Sequence, residues 1–333
     1  MEKTRLTIMI ASTARMDVPL VFRQSISHGV WVDWGDGSYP ETFAEIGVVY
    51  TSHNYSVTGT YEITLHTVDD CVLELGGANL DAAVIGGAVD GYRNMLVEAV
   101  IGDDVNGISK YAFRGCEGLE SVILPDGLLF IDENAFDGCV SLESIELPSK
   151  ITIISNNVFF GCSALRSVTM PPNINEIGDM AFYGCSQLKE IDLSHVRKIG
   201  VSAFSNCRKL KQIVFGQAAR YIGDYAFESC TSMQSVSFGD VQTIGVRSFG
   251  NCRTLGSIDL PSTLRIIDEG AFAGCRFVYE INCASNIAPI MRYANTFEDI
   301  TDFVITVPKN AGDTYKQSTN WCIYSNKIVE AEK

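Results

Sequence analysis

Eight of the chain's eleven cysteines fall on one beat: Cys116, Cys139, Cys162, Cys185, Cys207, Cys230, Cys252 and Cys275. Thiols at such density raise two possibilities first, a disulfide framework or a metal site. The spacing argues against both. If units of this period stack, equivalent residues sit ~4.8 Å apart with parallel Cα–Cβ vectors, whereas a disulfide needs converging Cβ atoms near ~3.8 Å. Zinc needs four ligands converging tetrahedrally, which a straight ladder does not supply, and no CxxC pair occurs. The ladder therefore reads as buried free thiols serving as small hydrophobes, with Cys71, Cys283 and Cys322 outside it. All eleven are expected to be free, which suits a reducing or anaerobic setting.

The remaining chemistry-bearing residues are few. Four histidines occur, His28, His53, His66 and His195, and no triad is visible; neither His53 nor His195 has a Ser or Cys partner that the repeat does not already explain as scaffold. No glycine-rich phosphate loop, HExxH or GxSxG appears, so the chain reads as a non-enzyme without cofactor. Asp33, Asp36 and Glu41 bring hard oxygen ligands near one turn and raise a calcium site, but their spacing lacks the alternation of a calcium loop. Turn formation by Asp36-Gly37 is the favoured reading. With 25 basic and 40 acidic side chains among 333 residues, the net charge is −15, which repels nucleic acid and anionic membrane surfaces on average. No apolar run approaches the ~18 residues a bilayer span requires, so membrane insertion is not expected. Lys3 and Arg5 before Leu6–Ile10 imitate a signal peptide. The apolar core falls short of the ~7 residues such a leader needs, and the stretch reads as an opening strand.

The elements that position these residues repeat. A phenylalanine column runs Phe113, Phe136, Phe159, Phe182, Phe204, Phe227, Phe249, Phe272 and Phe297, in steps of 22 or 23 until a last step of 25. Such a period marks a solenoid, in which each coil buries its face only against its neighbours. Within a coil, Leu142, Ile145 and Leu147 alternate with Ser144 and Glu146 as a short half-buried strand, and Pro148 ends it. Two further apolar points follow, as at Leu128 and Ile131. The AFxGC phrase then reads as one helical turn capped by Gly or Asn in the left-handed region. Each coil is thus expected to hold one strand and one helical turn.

Before residue ~75 the repeat is absent. Val30–Trp34, the Gly35-Asp36-Gly37 turn and Thr60–His66 show period-2 alternation, the signature of a small β-sandwich with Trp34 and Tyr61 as core aromatics. The domains are read as 1–75, a sandwich, and 76–330, a solenoid with a degenerate first coil at 76–101 and a C-terminal cap at 298–330. In the degenerate coil, Ala88–Tyr92 imitates AFxGC; in the cap, Tyr315, Trp321 and Tyr324 supply bulk to cover the core.

The phrase IGDMAFYGCSQLKEIDLS at 177–194, with the ending VPKNAGDTYKQSTNWCIYSNKI at 307–328, resembles the BspA-like leucine-rich repeat family found on surfaces of gut and oral bacteria and some protozoa. VDWGDGS at 32–38 with HNYSVTGTYEITL at 53–65 resembles polycystic-kidney-disease-type (PKD) immunoglobulin-like domains. The resemblance implies a mainly β, right-handed leucine-rich-repeat solenoid behind an Ig/PKD-like sandwich. It also implies a surface-displayed binding module, adhering to host matrix or to another bacterial surface protein. A convincing leader and anchor are missing from the sequence, so a cytoplasmic location stays open as the alternative. The candidate contact surface is the outward side of the strand column: Ser144, Glu146, Ser167, Thr169, Glu190, Asp192, Gln212, Ser235, Ser237, Ser257, Asp259 and Glu280. Small polar side chains on a rigid sheet suit a protein surface or an extended polysaccharide, although exposed strand positions are also small and polar for solubility. The alternative function is carbohydrate binding by the N-terminal sandwich.

Overall fold

The computed structural model describes residues 3–14, 16–77, 83–86 and 90–332. Ala88 and Val89 of the degenerate AFxGC phrase lie outside the described residues. The chain divides into two compact units, 1–173 and 174–333.

In the first unit, seven strands precede the repeats: β1 (Thr4–Ile10), β2 (Asp17–Gln24), β3 (Val30–Asp33), β4 (Glu41–Thr42), β5 (Gly47–Asn54), β6 (Gly59–Thr67) and β7 (Leu73–Leu75). Period-2 burial makes the sheets. Leu6, Ile8 and Ile10 of β1 point inward, as do Val30 and Val32 of β3 and Ile63 and Leu65 of β6. One sheet runs through β1, β6, β3 and β4 and the other through β7, β2 and β5. Gln24 joins them, its Oε1 accepting the Val30 N–H at 2.8 Å. At one end, the ring of Tyr55, just past β5, lies 4.2 Å from Tyr61 of β6, and Tyr55 donates to the Trp34 carbonyl at 2.8 Å.

These sheets do not stop at residue 75. The short helix α1 (Asp90–Arg93) leads into β8 (Leu96–Val100), which pairs antiparallel with β1 through Leu6↔Ala99. The strand β9 (Val105–Ile108) pairs parallel with β7 through Leu75↔Ile108. Parallel pairing of successive coils then begins, Ser121–Ile123 on β8 and Phe130–Ile131 on β9.

Two strand columns run through the repeats, where one was expected. The first holds the predicted strands, such as Ser144–Glu146 beside Ser167–Thr169. In the second unit it continues from Gln212–Val214 to Ile328–Glu330. The second column is built from two-residue strands, Glu176–Ile177, Lys198–Ile199, Tyr221–Ile222, Thr243–Ile244, Ile266–Ile267 and Ile290–Met291, all parallel. Their inward residue is isoleucine in all but the last. Such a β-branched side chain suits a pleated, half-buried site.

The AFxGC phrase is a hydrogen-bonded turn and not the expected helical turn. Backbone φ is positive two residues before and two residues after the phenylalanine, as at Asn134 (57°) and Gly138 (75°), or Ser202 (54°) and Asn206 (63°). The N–H groups alternate in direction. Those of Phe136 and Gly138 donate to Val158 and Phe160 of the next coil, while those of Asp137 and Cys139 donate to residues three back in their own coil. Half of the backbone donors are therefore given to the neighbour, which a helix would keep. After several strands of the first column, a tight turn closes through bonds such as Ile151 N–H to the Pro148 carbonyl at 3.1 Å.

The core is made of columns. Phe113, Phe136 and Phe159 stack in the first unit at 5.0 and 5.7 Å; in the second, Phe182, Phe204, Phe227 and Phe249 stack at 5.1, 5.1 and 5.2 Å. At its C-terminal end, Trp321 donates to the Pro289 carbonyl at 2.7 Å and Tyr315 to the Ser285 carbonyl at 2.8 Å, and both are fully buried. Tyr324 meets the Phe297 ring edge-on at 5.5 Å.

Candidate functional site

The cysteine ladder is structural, with a role beyond filling space. Each ladder thiol is fully buried, and Sγ–H groups along the ladder donate to the phenylalanine carbonyl of the preceding coil: Cys139 to Phe113, Cys162 to Phe136, Cys230 to Phe204 and Cys275 to Phe249, at 3.1 to 3.2 Å. Alanine would remove the donor. Burial raises the thiol pKa of Cys116 to about 12 and pushes Cys139 and Cys207 well above the usual range, so none of these is a ready nucleophile. All eleven cysteines are free, ten of them buried and Cys322 exposed.

The acidic turn of the N-terminal strands is engaged internally. Asp33 Oδ1 accepts the Gly35 N–H at 2.9 Å and Asp36 Oδ1 the Ser38 N–H at 3.0 Å. Asp36 Oδ2 meets His53 Nε2 at 2.8 Å, and the His53 ring stacks on Trp34 at 4.9 Å. Burial pushes the Asp36 carboxyl upward, but the hydrogen bonds from His53 and Ser38 outweigh it and hold the pKa at about 2. Gly35 sits at φ 77°, and a Cβ there would run into the Glu62 carbonyl, so this glycine is required by both conformation and space. Among the described residues, no group of three His, Cys, Asp or Glu side chains is placed to hold a metal ion.

Each unit carries a groove along its first strand column. In the first unit, Ser121, Ile123, Ser144, Glu146 and Thr169 line a cavity of about 710 Å³, with Pro148 and Pro171 at its rim. In the second, Ser237, Asp259, Asn282 and Thr306 line one of about 630 Å³, walled by Phe238 and Pro261. The strand pleat explains the lining. Ile145 and Val168 point into the core while Ser144, Glu146, Ser167 and Thr169 are exposed.

The predicted residues divide accordingly. Ser144, Glu146 and Thr169 are brought together in one groove, and Ser237 and Asp259 in the other. Ser167, Gln212 and Ser235 are exposed on the same columns outside those linings, and Ser257 and Glu280 are half-buried. Glu190 and Asp192 are exposed but lie outside any regular strand. Asp192 also closes its own turn, accepting the Ser194 N–H at 2.9 Å; hydrogen bonds from Ser194 lower its pKa. Asp259 is paired with Asn282 of the next coil at 2.9 Å.

Two exposed groups escaped the sequence reading. Phe277 and Tyr279 are 69 % and 63 % exposed beside the strand column. Tyr279 belongs to the column one position before the rows considered, where Gly256 of the preceding coil leaves room for its ring. Reading that column down the repeats would have found it. Near the chain start, Trp31 and His66 stack at 3.5 Å beside a cavity of about 710 Å³ that also takes in Lys3, Thr67, Asp69 and Asp104. Burial, followed by the Lys3 charge, lowers the His66 pKa.

Stacked parallel strands around columns of Leu, Ile, Phe and Cys define a leucine-rich repeat protein. The match to the BspA type leucine-rich repeat region covers residues 92–211 and 197–322, and the chain belongs to that family. Among solved structures, it is similar to a leucine-rich repeat protein from Bacteroides ovatus, with 28 % identity and a TM-score of 0.52, over 71 % of this chain and 66 % of that one. The chain thus spans just under two thirds of that protein's length. A leucine rich cell surface protein from Faecalibacterium prausnitzii is 21 % identical over 72 % of this chain and 74 % of its own, with a TM-score of 0.34. The T. pallidum leucine rich repeat protein is 26 % identical over 59 % and 76 %, with a TM-score of 0.35. No curated protein matches the chain. Leucine-rich repeat proteins are in general protein-binding scaffolds without catalysis. Among the described residues, no helix is long and apolar enough to cross a membrane.

Proposed function

We propose that this protein is a non-enzymatic, adhesin-like module that binds a protein partner through the strand face of its repeats, displayed at the cell surface or outside the cell. The observation that carries this reading is the groove of the first unit, where exposed Ser144, Glu146 and Thr169 stand on consecutive coils over a rigid buried row. Short polar side chains on a pre-ordered sheet lose little entropy when a partner docks, which favours protein contact. The partner is read as a host matrix protein or another bacterial surface protein. Immobilised host matrix and intact neighbouring bacteria should retain the full chain, and Glu146→Lys with Thr169→Lys should abolish retention without altering the far-ultraviolet circular dichroism. Retention of the double variant at wild-type level would place the contact elsewhere.

A second reading, carbohydrate binding by the N-terminal strands, is favoured by the Trp31 and His66 stack at the edge of an open cavity. The two-sheet arrangement of residues 4–75 supports its likeness to Ig/PKD-type sandwiches. Because β8 and β9 hydrogen-bond into both sheets, the test is a glycan array probed with the full chain and with Trp31→Ala. Glycan binding lost in that variant would give this reading precedence.

A further inference from the structure

Several basic residues of this acidic chain reach a carboxylate one coil away. Lys110 pairs with Glu133, Arg114 with Asp137, Arg166 with Glu143, Lys198 with Glu176, Arg247 with Glu228, Arg276 with Asp299 and Arg292 with Asp268. Lys189, Arg208, Lys209 and Lys211 are grouped without such a partner. All four are exposed, and among the described residues none makes an ion pair.

They also sit on adjoining coils of the second unit. The Lys211 N–H bonds the Lys189 carbonyl at 3.4 Å, which stacks these two lysines in the column just before the strands. Arg208 and Lys209 follow Cys207 in the same coil as Lys211 and extend the patch toward the turn. Like charges one rung apart oppose each other, so this arrangement costs stability that a neutral column would not. The acids Glu190 and Asp192 are exposed on the Lys189 coil, and Asp192 is held by its own turn. In the first unit the matching column reads Glu120, Glu143 and Arg166, the last two paired to each other. The excess of positive charge is therefore local, on a protein whose net charge is −15.

We infer that Lys189, Arg208, Lys209 and Lys211 form a binding site for an extended, sulfated polysaccharide. The patch offers point charges and one guanidinium on a stiff edge, suited to a line of sulfate groups on a linear polymer. The exposed aromatics of these columns, Phe277 and Tyr279, lie three coils beyond Lys209 and Lys211 and not among the four charges, whereas single-stranded nucleic acid is held by base stacking on rings beside its charges. A sulfated polymer is thus the better match. This site is separate from the strand grooves and does not rest on the protein-binding reading.

The test is binding of the full chain to a heparin oligosaccharide as a function of salt. Four neutralised charges, at a slope of ~0.7 each as for single-stranded polyanions, predict about a 50-fold loss of affinity between ~50 and ~200 mM salt. Lys209→Glu with Lys211→Glu should remove measurable binding. Lys150→Glu with Lys309→Glu, which changes net charge equally at distant exposed lysines, should leave affinity within twofold to threefold. Loss in both double variants to the same degree would show a net-charge effect only and overturn the site. So would heparin binding unchanged in the first variant, absence of heparin binding by the wild type, or tighter binding of poly(dT) than of heparin.

Discussion

Replacing Phe204 by alanine tests the stacking that holds the second unit together. The Phe204 ring is fully buried, 5.1 Å from Phe182 on one side and 5.1 Å from Phe227 on the other, with planes within 7° and 4°. Its removal deletes the burial of one aromatic side chain and leaves a cavity between two rigid rings, which together cost ~3–5 kcal/mol. Of this, the two ring contacts account for ~0.5–1.5 kcal/mol each. A loss of that size is a large fraction of the ~5–15 kcal/mol that stabilises a typical folded protein. Because each coil buries its face only on its neighbours, the damage should also lower the cooperativity of unfolding, read as a smaller denaturant dependence. Urea unfolding followed by circular dichroism supplies both quantities. Phe277→Ala is the control, since that side chain is 69 % exposed and should change stability by no more than ~0.5 kcal/mol. Equal effects of the two substitutions, or a cost below ~1 kcal/mol for Phe204→Ala, would show that ring stacking does not hold the coils together.

Further outcomes follow from the same geometry. Gly216→Ala should destabilise by ~2 kcal/mol or more, because its Cβ would collide with the Ser194 carbonyl of the preceding coil; a neutral result in thermal unfolding would contradict that close approach. Asp36 has its folded pKa lowered to about 2 from an unfolded value near 4, so its contribution is present above ~pH 4 and is lost as pH falls through about 2. Asp36→Asn should accordingly flatten stability against pH across that window, and an unchanged profile would remove His53 and Ser38 as its partners. Cys230→Val, which keeps an apolar side chain there but removes the donor, should cost ~1 kcal/mol for the lost bond to the Phe204 carbonyl, with a nearly neutral substitution arguing that the thiol only fills space.

How far the sequence could be read depended on how far each signal repeats. The Phe and Cys columns were legible because eight or nine copies leave one common interpretation, and the buried faces of strands such as Ile145 and Val168 followed from alternation. The second strand column was not read. Strands of two residues have no period to detect, although isoleucine at 131, 154, 177, 199, 222, 244 and 267 was its trace. In the AFxGC turn, Gly138 and Asn206 announced one left-handed position, but the other, although Asn at 134 and 157, falls elsewhere on Tyr111, Met180, Tyr225 and Arg247, residues that carry no such signature. Of the candidate surface, the outward direction of Ser144 and Glu146 was legible. The turn that engages Asp192 and the extension of both N-terminal sheets by β8 and β9 depend on partners distant in sequence or on turn geometry.

The measurement that bears most directly on the account is the accessibility of the thiols. In a stack that aligns cysteine on cysteine, native protein should expose one fast-reacting thiol to a disulfide reagent, Cys322, and unfolded, unreduced protein should expose all eleven. Rapid reaction of several ladder cysteines in the native state, or three or fewer free thiols after unfolding, would contradict it.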